Sequence, residues 1–396
     1  PAPAAPALLP LGDRVWRPPP VELEELVGAL EVTRGTPPET VAEAVLAGRG
    51  ARFVDRYADL LDARAAVTRA LAAEAGTSAG DRERRLRKRD AGRRMCVEAD
   101  VAAGLLRLEG RPSHCGYLPL FYGGHDAGGG GGKGPLLLRS SDFMALNAAW
   151  QYFVKGVRYP FLKHSVHPFF GVYFTPSPTQ HFELLLDWLR DRPAALAGAG
   201  ARALDLGTGC GVIALLLREL RPGLEVVASD LCPNAVFSAA CEVARHGARG
   251  LEVVESDLFQ DIEGRGLFDV IVFNPPWIPE PAADGAAPVA EEAEVRRGND
   301  YPPGLFERCF QEAPRVLRPG GRLLVLFSDY AERRGLVEAS PLLPHGGAAS
   351  PFELRGVARR KVAARDRSRS RATRRDKAWA LEQEVHAELW EFELRG

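Results

Sequence analysis

Several things are scarce in this 396-residue sequence, and each scarcity removes a class of function. No apolar run approaches about 18 residues, the length from which a membrane-spanning helix is read, so none is expected. Charge of one sign is not in excess. The formal net charge is -1, which creates no overall field toward nucleic acid or a membrane, so any such attraction must be local. The six cysteines (Cys96, Cys115, Cys210, Cys232, Cys241 and Cys309) include no CxxC pair and no zinc-type spacing. They read as reduced, mostly buried thiols of a cytoplasmic protein. The chain begins at Pro1 rather than Met, which leaves room for a removed targeting peptide and so for an organelle. Isolated histidines such as His114, His164 and His167 follow no ligand pattern and read as structural or substrate-lining; no metal is expected.

What is present suits a folded protein of two domains, with 46% apolar and 26% charged residues. Residues 1–20 hold seven prolines and read as a disordered Pro/Ala-rich leader. Residues 21–165 read as a mainly helical substrate-recognition region, because Val41, Val45, Phe53, Tyr57, Leu60 and Leu61 recur at helical spacing. Within it, Arg82–Arg94 is strongly basic and reads as a solvated helix face or loop rather than a nucleic-acid contact. The Gly-rich insert 123–135 contains GGGGGKG, but Gly134 and Pro135 follow its lysine where a phosphate-binding loop needs Ser or Thr and a helix. It is a low-complexity segment.

From residue 166 to 396 the pattern changes. Ser177, Pro178 and Gln180 read as N-cap, first position and capping-box partner of a helix bearing Phe182, Leu185, Leu186 and Leu189 on one face. Strands are predicted at 201–206, 224–230, 251–257, 268–274 and 321–328, with helices at 211–219, 233–246 and 305–316 between them. Short apolar strands alternating with helices imply a parallel sheet covered on both faces. Residues 385–394 alternate like an antiparallel edge strand, with 352–358 as neighbour, and the basic segment 359–377 between them reads as a loop.

The first strand runs into Asp205-Leu206-Gly207-Thr208-Gly209-Cys210-Gly211. Glycines let a backbone turn tightly and approach a ligand. A dinucleotide fingerprint would need glycine where Val212 stands. GxGxG is instead the pattern of enzymes that bind S-adenosylmethionine (AdoMet). Asp230, followed by Leu231, ends the second strand, where a carboxylate can accept both ribose hydroxyls. Asp257 ends the third, placed for an adenine amino group, with Leu258 and Phe259 beside the ring. A Gly-rich turn and two acids on one sheet edge make a specific combination.

The fourth strand stops at Asn274-Pro275-Pro276-Trp277. A planar nitrogen is a poor nucleophile because its lone pair is delocalised. The Asn274 side-chain oxygen and the Pro275 carbonyl can hold its two hydrogens, Pro275 and Pro276 stiffen that carbonyl, and Trp277 offers a face for stacking. Asn274 also borders the cofactor.

Residues 170–330, through FGVYFTPSPTQ, DLGTGCGVIAL, VVASD, FDVIVFNPPWIP and EAPRVLRPGGRLLVLF, resemble the class I AdoMet-dependent methyltransferases, most closely the protein-glutamine methyltransferases that modify release factors. The implied fold is α/β and Rossmann-like: a mostly parallel seven-stranded sheet with an antiparallel C-terminal strand. The resemblance implies AdoMet as cofactor, S-adenosylhomocysteine as product, and a protein substrate such as a translation factor. Trp277 stands where that family has Tyr, and Pro178-Thr179-Gln180-His181 where it has Pro-Glu-Thr-Glu. Alternatives are an adenine amino group of RNA or DNA, a small-molecule amine or amide, and a non-catalytic module that keeps the fold.

Overall fold

Apolar runs of two very different lengths build two separate sheets. The computed structural model describes residues 6–73, 78–110, 114–123, 136–175, 179–192, 196, 198, 200–280, 300–362 and 384–396. Two units result, Trp16–Tyr152 on the one hand and Pro1–Val15 with Phe153–Gly396 on the other.

In the first unit the order is β1 (Leu30–Val32), α1 (Pro38–Leu46), β2 (Ala51–Phe53), α2 (Tyr57–Ala73), α3 (Ser78–Arg93), β3 (Met95–Asp100), β4 (Leu105–Leu106), α4 (Tyr117–Tyr122), β5 (Leu136–Arg139) and α5 (Ser140–Lys155). Pro38 opens α1 where its missing N–H costs nothing, and Val41, Ala42 and Val45 face inward. Val41 and Val45 lie in α1 and Tyr57, Leu60 and Leu61 in α2, whereas Phe53 belongs to strand β2; the basic run lies in α3 except for Arg94. The expectation of a mainly helical region omitted a five-stranded sheet, with β1, β2 and β3 parallel and β4 and β5 antiparallel to β3. Strands β1, β2 and β4 have only two or three residues each, too few to show an alternation. Of the Gly-rich insert only Gly123, which ends α4, is described; the rest lies outside the described residues.

The second unit contains α6 (Gln180–Asp191), β6 (Arg202–Leu206), α7 (Val212–Leu220), β7 (Glu225–Asp230), α8 (Pro233–His246), β8 (Leu251–Glu255), β9 (Phe268–Phe273), β10 (Ile278–Pro279), β11 (Asp300–Tyr301), α9 (Leu305–Glu312), β12 (Leu317–Ser328), β13 (Phe352–Lys361) and β14 (His386–Leu394). Its seven-stranded sheet has the order β13-β14-β12-β9-β6-β7-β8. The five strands from β12 to β8 are parallel, and β14 runs antiparallel to both neighbours. Strands buried on both faces carry runs such as VIVF, and one core cluster joins Leu204, Ile271, Phe273, Phe306, Val325 and Phe392. The order steps outward from β6 through β7 on one side and from β9 through β12 on the other. Beyond the carboxyl ends of β6 and β9 such a sheet opens a crevice.

Four expected boundaries move. The division falls at Phe153 rather than residue 166, because Val157 bridges Val166, Phe169 packs on Phe237, and the Phe169 N–H donates to Ser238 Oγ at 3.1 Å. The leader is structured in part. Residues 6–15 lie on the second unit, where the Leu9 N–H reaches Cys241 Sγ, Arg14 pairs with Glu255 and Arg245 donates to the Ala7 carbonyl. Helix α6 starts at Gln180 with Thr179 at the N-cap position, later than Ser177 and Pro178 would start it; those two lie outside the described residues. The basic loop begins later than 359, because β13 runs to Lys361. Arg359 pairs with Glu388, Arg360 with Glu183 and Asp187, and Lys361 with Glu384. Residues 363–377 lie outside the described residues.

Candidate active site

The turn between β6 and α7 is shaped by three glycines with left-handed backbones: φ is 68° at Gly207, 56° at Gly209 and 82° at Gly211. Residues with a Cβ rarely adopt this region. A Cβ on Gly207 would lie 3.4 Å from the Phe273 ring, and one on Gly209 would lie 3.4 Å from the Tyr173 carbonyl oxygen. Thr208 fixes the turn twice, its N–H donating to the Ser229 carbonyl at 2.8 Å and its hydroxyl to Asp205 Oδ2 at 2.6 Å. Asp205 Oδ2 also accepts the Ala214 N–H at 2.9 Å, in the first turn of α7. Asp205 Oδ1 is buried with no hydrogen-bond partner among the described residues. Burial pushes the Asp205 carboxyl up to about 7, against the pull of Thr208 and Ala214. Cys210 is buried and its thiol pushed up by burial, so any part it has in binding falls to its backbone.

Asp230 ends β7. Its Oδ2 accepts the Gly209 N–H at 2.8 Å and its Oδ1 the Cys232 N–H at 2.9 Å. Burial pushes this carboxyl up, and the backbone N–H groups of Cys232, Gly209 and Leu231 pull it down. Each oxygen keeps a second lone pair, so the acid can tie the Gly-rich turn and still accept from a ligand. Leu231 is exposed beside it.

Asp257 follows β8 and pairs through Oδ2 with Arg308 of α9 at 3.2 Å, a partner that sequence reading missed. Leu258 has a left-handed φ of 50°, a strained backbone for a side chain with Cβ. Ser256 Oγ holds it in place by donating to the Leu258 carbonyl at 3.0 Å. Phe259 is fully buried in the core cluster, so the expectation that it flanks an adenine ring is corrected; the core took this ring because the chain turns at Leu258.

Asn274 comes next after β9, and β9 pairs with β6 so that Phe273 is opposite Leu206. Asn274 and Gly207 therefore leave adjacent strands side by side at the crevice. Asn274 Oδ1 is buried and has no hydrogen-bond partner among the described residues. Pro275 is buried and Pro276 half-buried. Trp277, expected to offer a face for stacking, is held in place by several neighbours. Its indole N–H donates to the Leu326 carbonyl of β12 at 3.2 Å, it packs on the core cluster, and its ring meets His181 edge to face at 5.1 Å. The indole is a wall braced from behind. Ile278–Pro279 then pairs with Asp300–Tyr301 as a short parallel ladder.

His181 is the second residue sequence reading missed. Within the pattern of α6 it is one more position on a helix, and its place against Trp277 depends on packing between distant segments. Two histidines read as isolated make backbone and ring contacts: His167 Nδ1 lies 2.6 Å from the Phe153 carbonyl oxygen, and His164 packs on His246. Among the described residues no three His, Cys, Asp or Glu side chains are placed to share a metal ion, and no helix is long and apolar enough to cross a membrane.

A five-stranded parallel sheet with its switch between β6 and β9, an antiparallel strand at one side and a Gly-rich turn facing an acid on β7 make up the Rossmann-like fold of class I methyltransferases. Residues 170–289 match the family model described as the methyltransferase small domain. Among curated proteins, the release factor glutamine methyltransferase of Cereibacter sphaeroides is 38% identical over 41% of this chain and 63% of its own length. That of Geobacter sulfurreducens is 36% identical over 38% of this chain and 53% of its own length. The chain thus spans less than two thirds of these relatives. Among solved structures, a rRNA methylase from Streptococcus thermophilus shares 15% identity over 53% of this chain and 97% of that chain, with a TM-score of 0.32.

Proposed function

We propose that this chain is an AdoMet-dependent N-methyltransferase that acts on a planar nitrogen, with a glutamine side-chain amide of a protein as acceptor. The observation that carries the reading is the buried, unpartnered Oδ1 of Asn274 beside Gly207. An acceptor held ready at this point takes one hydrogen of an amide nitrogen, orients the group and draws the nitrogen toward a pyramidal form. Prolines on either side of the next peptide bond fix the backbone that carries it. Holding the amide in one orientation is an entropic contribution worth several kcal/mol at most sites of this kind. The printed names of the curated relatives support glutamine, and so a protein partner such as a translation factor.

The residues at the crevice fit AdoMet. The three glycines leave room for a ligand to approach the backbone, Asp230 would accept from its hydroxyls and Asp257 from its amino group, and the unpartnered Oδ1 of Asp205 would suit its positive charges. When bound, AdoMet supplies an electrophilic methyl group.

Asp205 gives the first prediction. A cationic ligand favours the carboxylate, whereas the free site holds the proton up to about pH 7. Affinity for AdoMet should therefore rise as pH climbs toward 7 and level off above it, with proton uptake by buffer on binding below 7. Calorimetry at several pH values, in two buffers of different ionisation enthalpy, checks this; a flat profile for wild type contradicts the role of Asp205, and Asp205→Asn should show one. For stability the sign is opposite. A raised carboxyl favours folding most below its ordinary value of 3.8, and that contribution is lost as pH rises toward 7.

The acceptor is tested by labelling a cell extract with a radioactive methyl donor, then incubating the pure chain with a glutamine-containing peptide. Label in protein, released as methylglutamine on digestion, is expected. Label confined to RNA or DNA overturns the glutamine assignment.

A further inference from the structure

His181 is 1% exposed, and neither of its ring nitrogens has a hydrogen-bond partner among the described residues. Its ring lies 3.9 Å from that of Phe182, centre to centre, and stands perpendicular to Trp277 at 5.1 Å. Phe182 in turn packs on Tyr159 and Phe161, at 5.8 and 5.4 Å. An aromatic wall thus runs from Tyr159 to Trp277, the residue that closes the acceptor motif, and the imidazole is set into it. Buried polar atoms in folded proteins are nearly always paired. A histidine serving only to fill this space would be outdone by phenylalanine, which packs on the same rings and buries no unsatisfied nitrogen. Three unsatisfied atoms gathered about one motif, the two nitrogens of His181 and Oδ1 of Asn274, are what a site built for a polar ligand leaves when alone.

We infer that His181 is an acceptor-binding residue, which hydrogen-bonds the neutral planar amide of the substrate from the Trp277 side while Asn274 holds the nitrogen. This rests on the amide reading above and deepens it. A neutral imidazole offers one donor and one acceptor. A carboxamide or peptide group needs both, since its carbonyl accepts and its N–H donates. Burial pushes the imidazole down to about 3, so it presents no positive charge to a phosphate at neutral pH. A wall of this kind suits a stretch of uncharged polypeptide and does nothing for a nucleotide backbone.

The experiment compares wild type, His181→Phe and His181→Asn for thermal midpoint, AdoMet affinity, and kcat/KM on a glutamine peptide. For His181→Phe we expect an unchanged or higher midpoint, AdoMet affinity within twofold, and kcat/KM lower by about tenfold to a hundredfold, chiefly through KM. His181→Asn, which restores a donor and an acceptor, should recover part of that loss. Equal kcat/KM for wild type and His181→Phe overturns the inference, and so does a lower midpoint with parallel loss of AdoMet binding, which marks a structural role. If wild type methylates an RNA oligonucleotide and not the peptide, the glutamine reading falls and the inference falls with it, whereas peptide methylation with equal kcat/KM for wild type and His181→Phe overturns the inference alone.

Discussion

Asn274→Ala is expected to lower kcat by about 10²–10³-fold, the scale seen when one preorganised polar group at a reacting centre is removed. The reason is local. Asn274 Oδ1 is buried and unpartnered, so its hydrogen-bonding capacity is committed to no other group of the described chain. Alanine removes that acceptor and leaves the amide of the substrate without a fixed orientation. AdoMet affinity should change by less than about tenfold, because the Gly-rich turn, Asp205 and Asp230 remain. Single-turnover kinetics at saturating AdoMet, with the cofactor dissociation constant measured in parallel, separates the two quantities. Retention of most of the turnover would rule out the amide clamp.

The second large effect is on the cofactor side. Asp230→Ala should weaken AdoMet binding by about 2–3 kcal/mol, roughly 30- to 150-fold, with a much smaller change in kcat at saturation. Two losses combine. The ligand's hydroxyls lose a charged acceptor, and the N–H groups of Gly209 and Cys232 lose the oxygens that hold the turn in its binding shape. Asp230→Asn retains one acceptor and should fall between wild type and alanine. Titration calorimetry is the check, and wild-type affinity for Asp230→Ala would remove Asp230 from the site.

Much of this was legible in the residues. The Rossmann-like sheet could be read because β6, β7, β8 and β9 are short apolar runs, each ending in an acid, a glycine or an amide, and their observed ends fall within two residues of those expected. Helix α8 was placed at its observed bounds, since Pro233 opens it and Gly247 closes it in a left-handed conformation. The Gly-rich turn and Asn274 stand out in the sequence through the local chemistry that ligand contact would demand. What escaped depends on packing across the fold. Whether Phe259 meets a ligand or the core is decided by the turn at Leu258. No pattern reveals that Leu326, far along the chain, supplies a carbonyl that holds the N–H of Trp277. Arg308 belongs to no motif, and His181 stands in a segment that departs from the family pattern, so only their neighbours in space mark them. Strands β1, β2 and β4 were too short to leave a period.

The place of β14 has a consequence for how the chain is made. It lies between β12 and β13 although it follows both in sequence, and it contributes Trp390, Phe392 and Leu394 to the core. At roughly 5–20 residues per second of synthesis, β12 and β13 wait for seconds with open hydrogen-bonding edges before residues 386–394 emerge between them. Open strand edges are where nascent chains pair with the wrong partner. A ribosome stalled just before residue 386 would therefore hold out a chain whose parallel strands are complete and whose sheet is still divided.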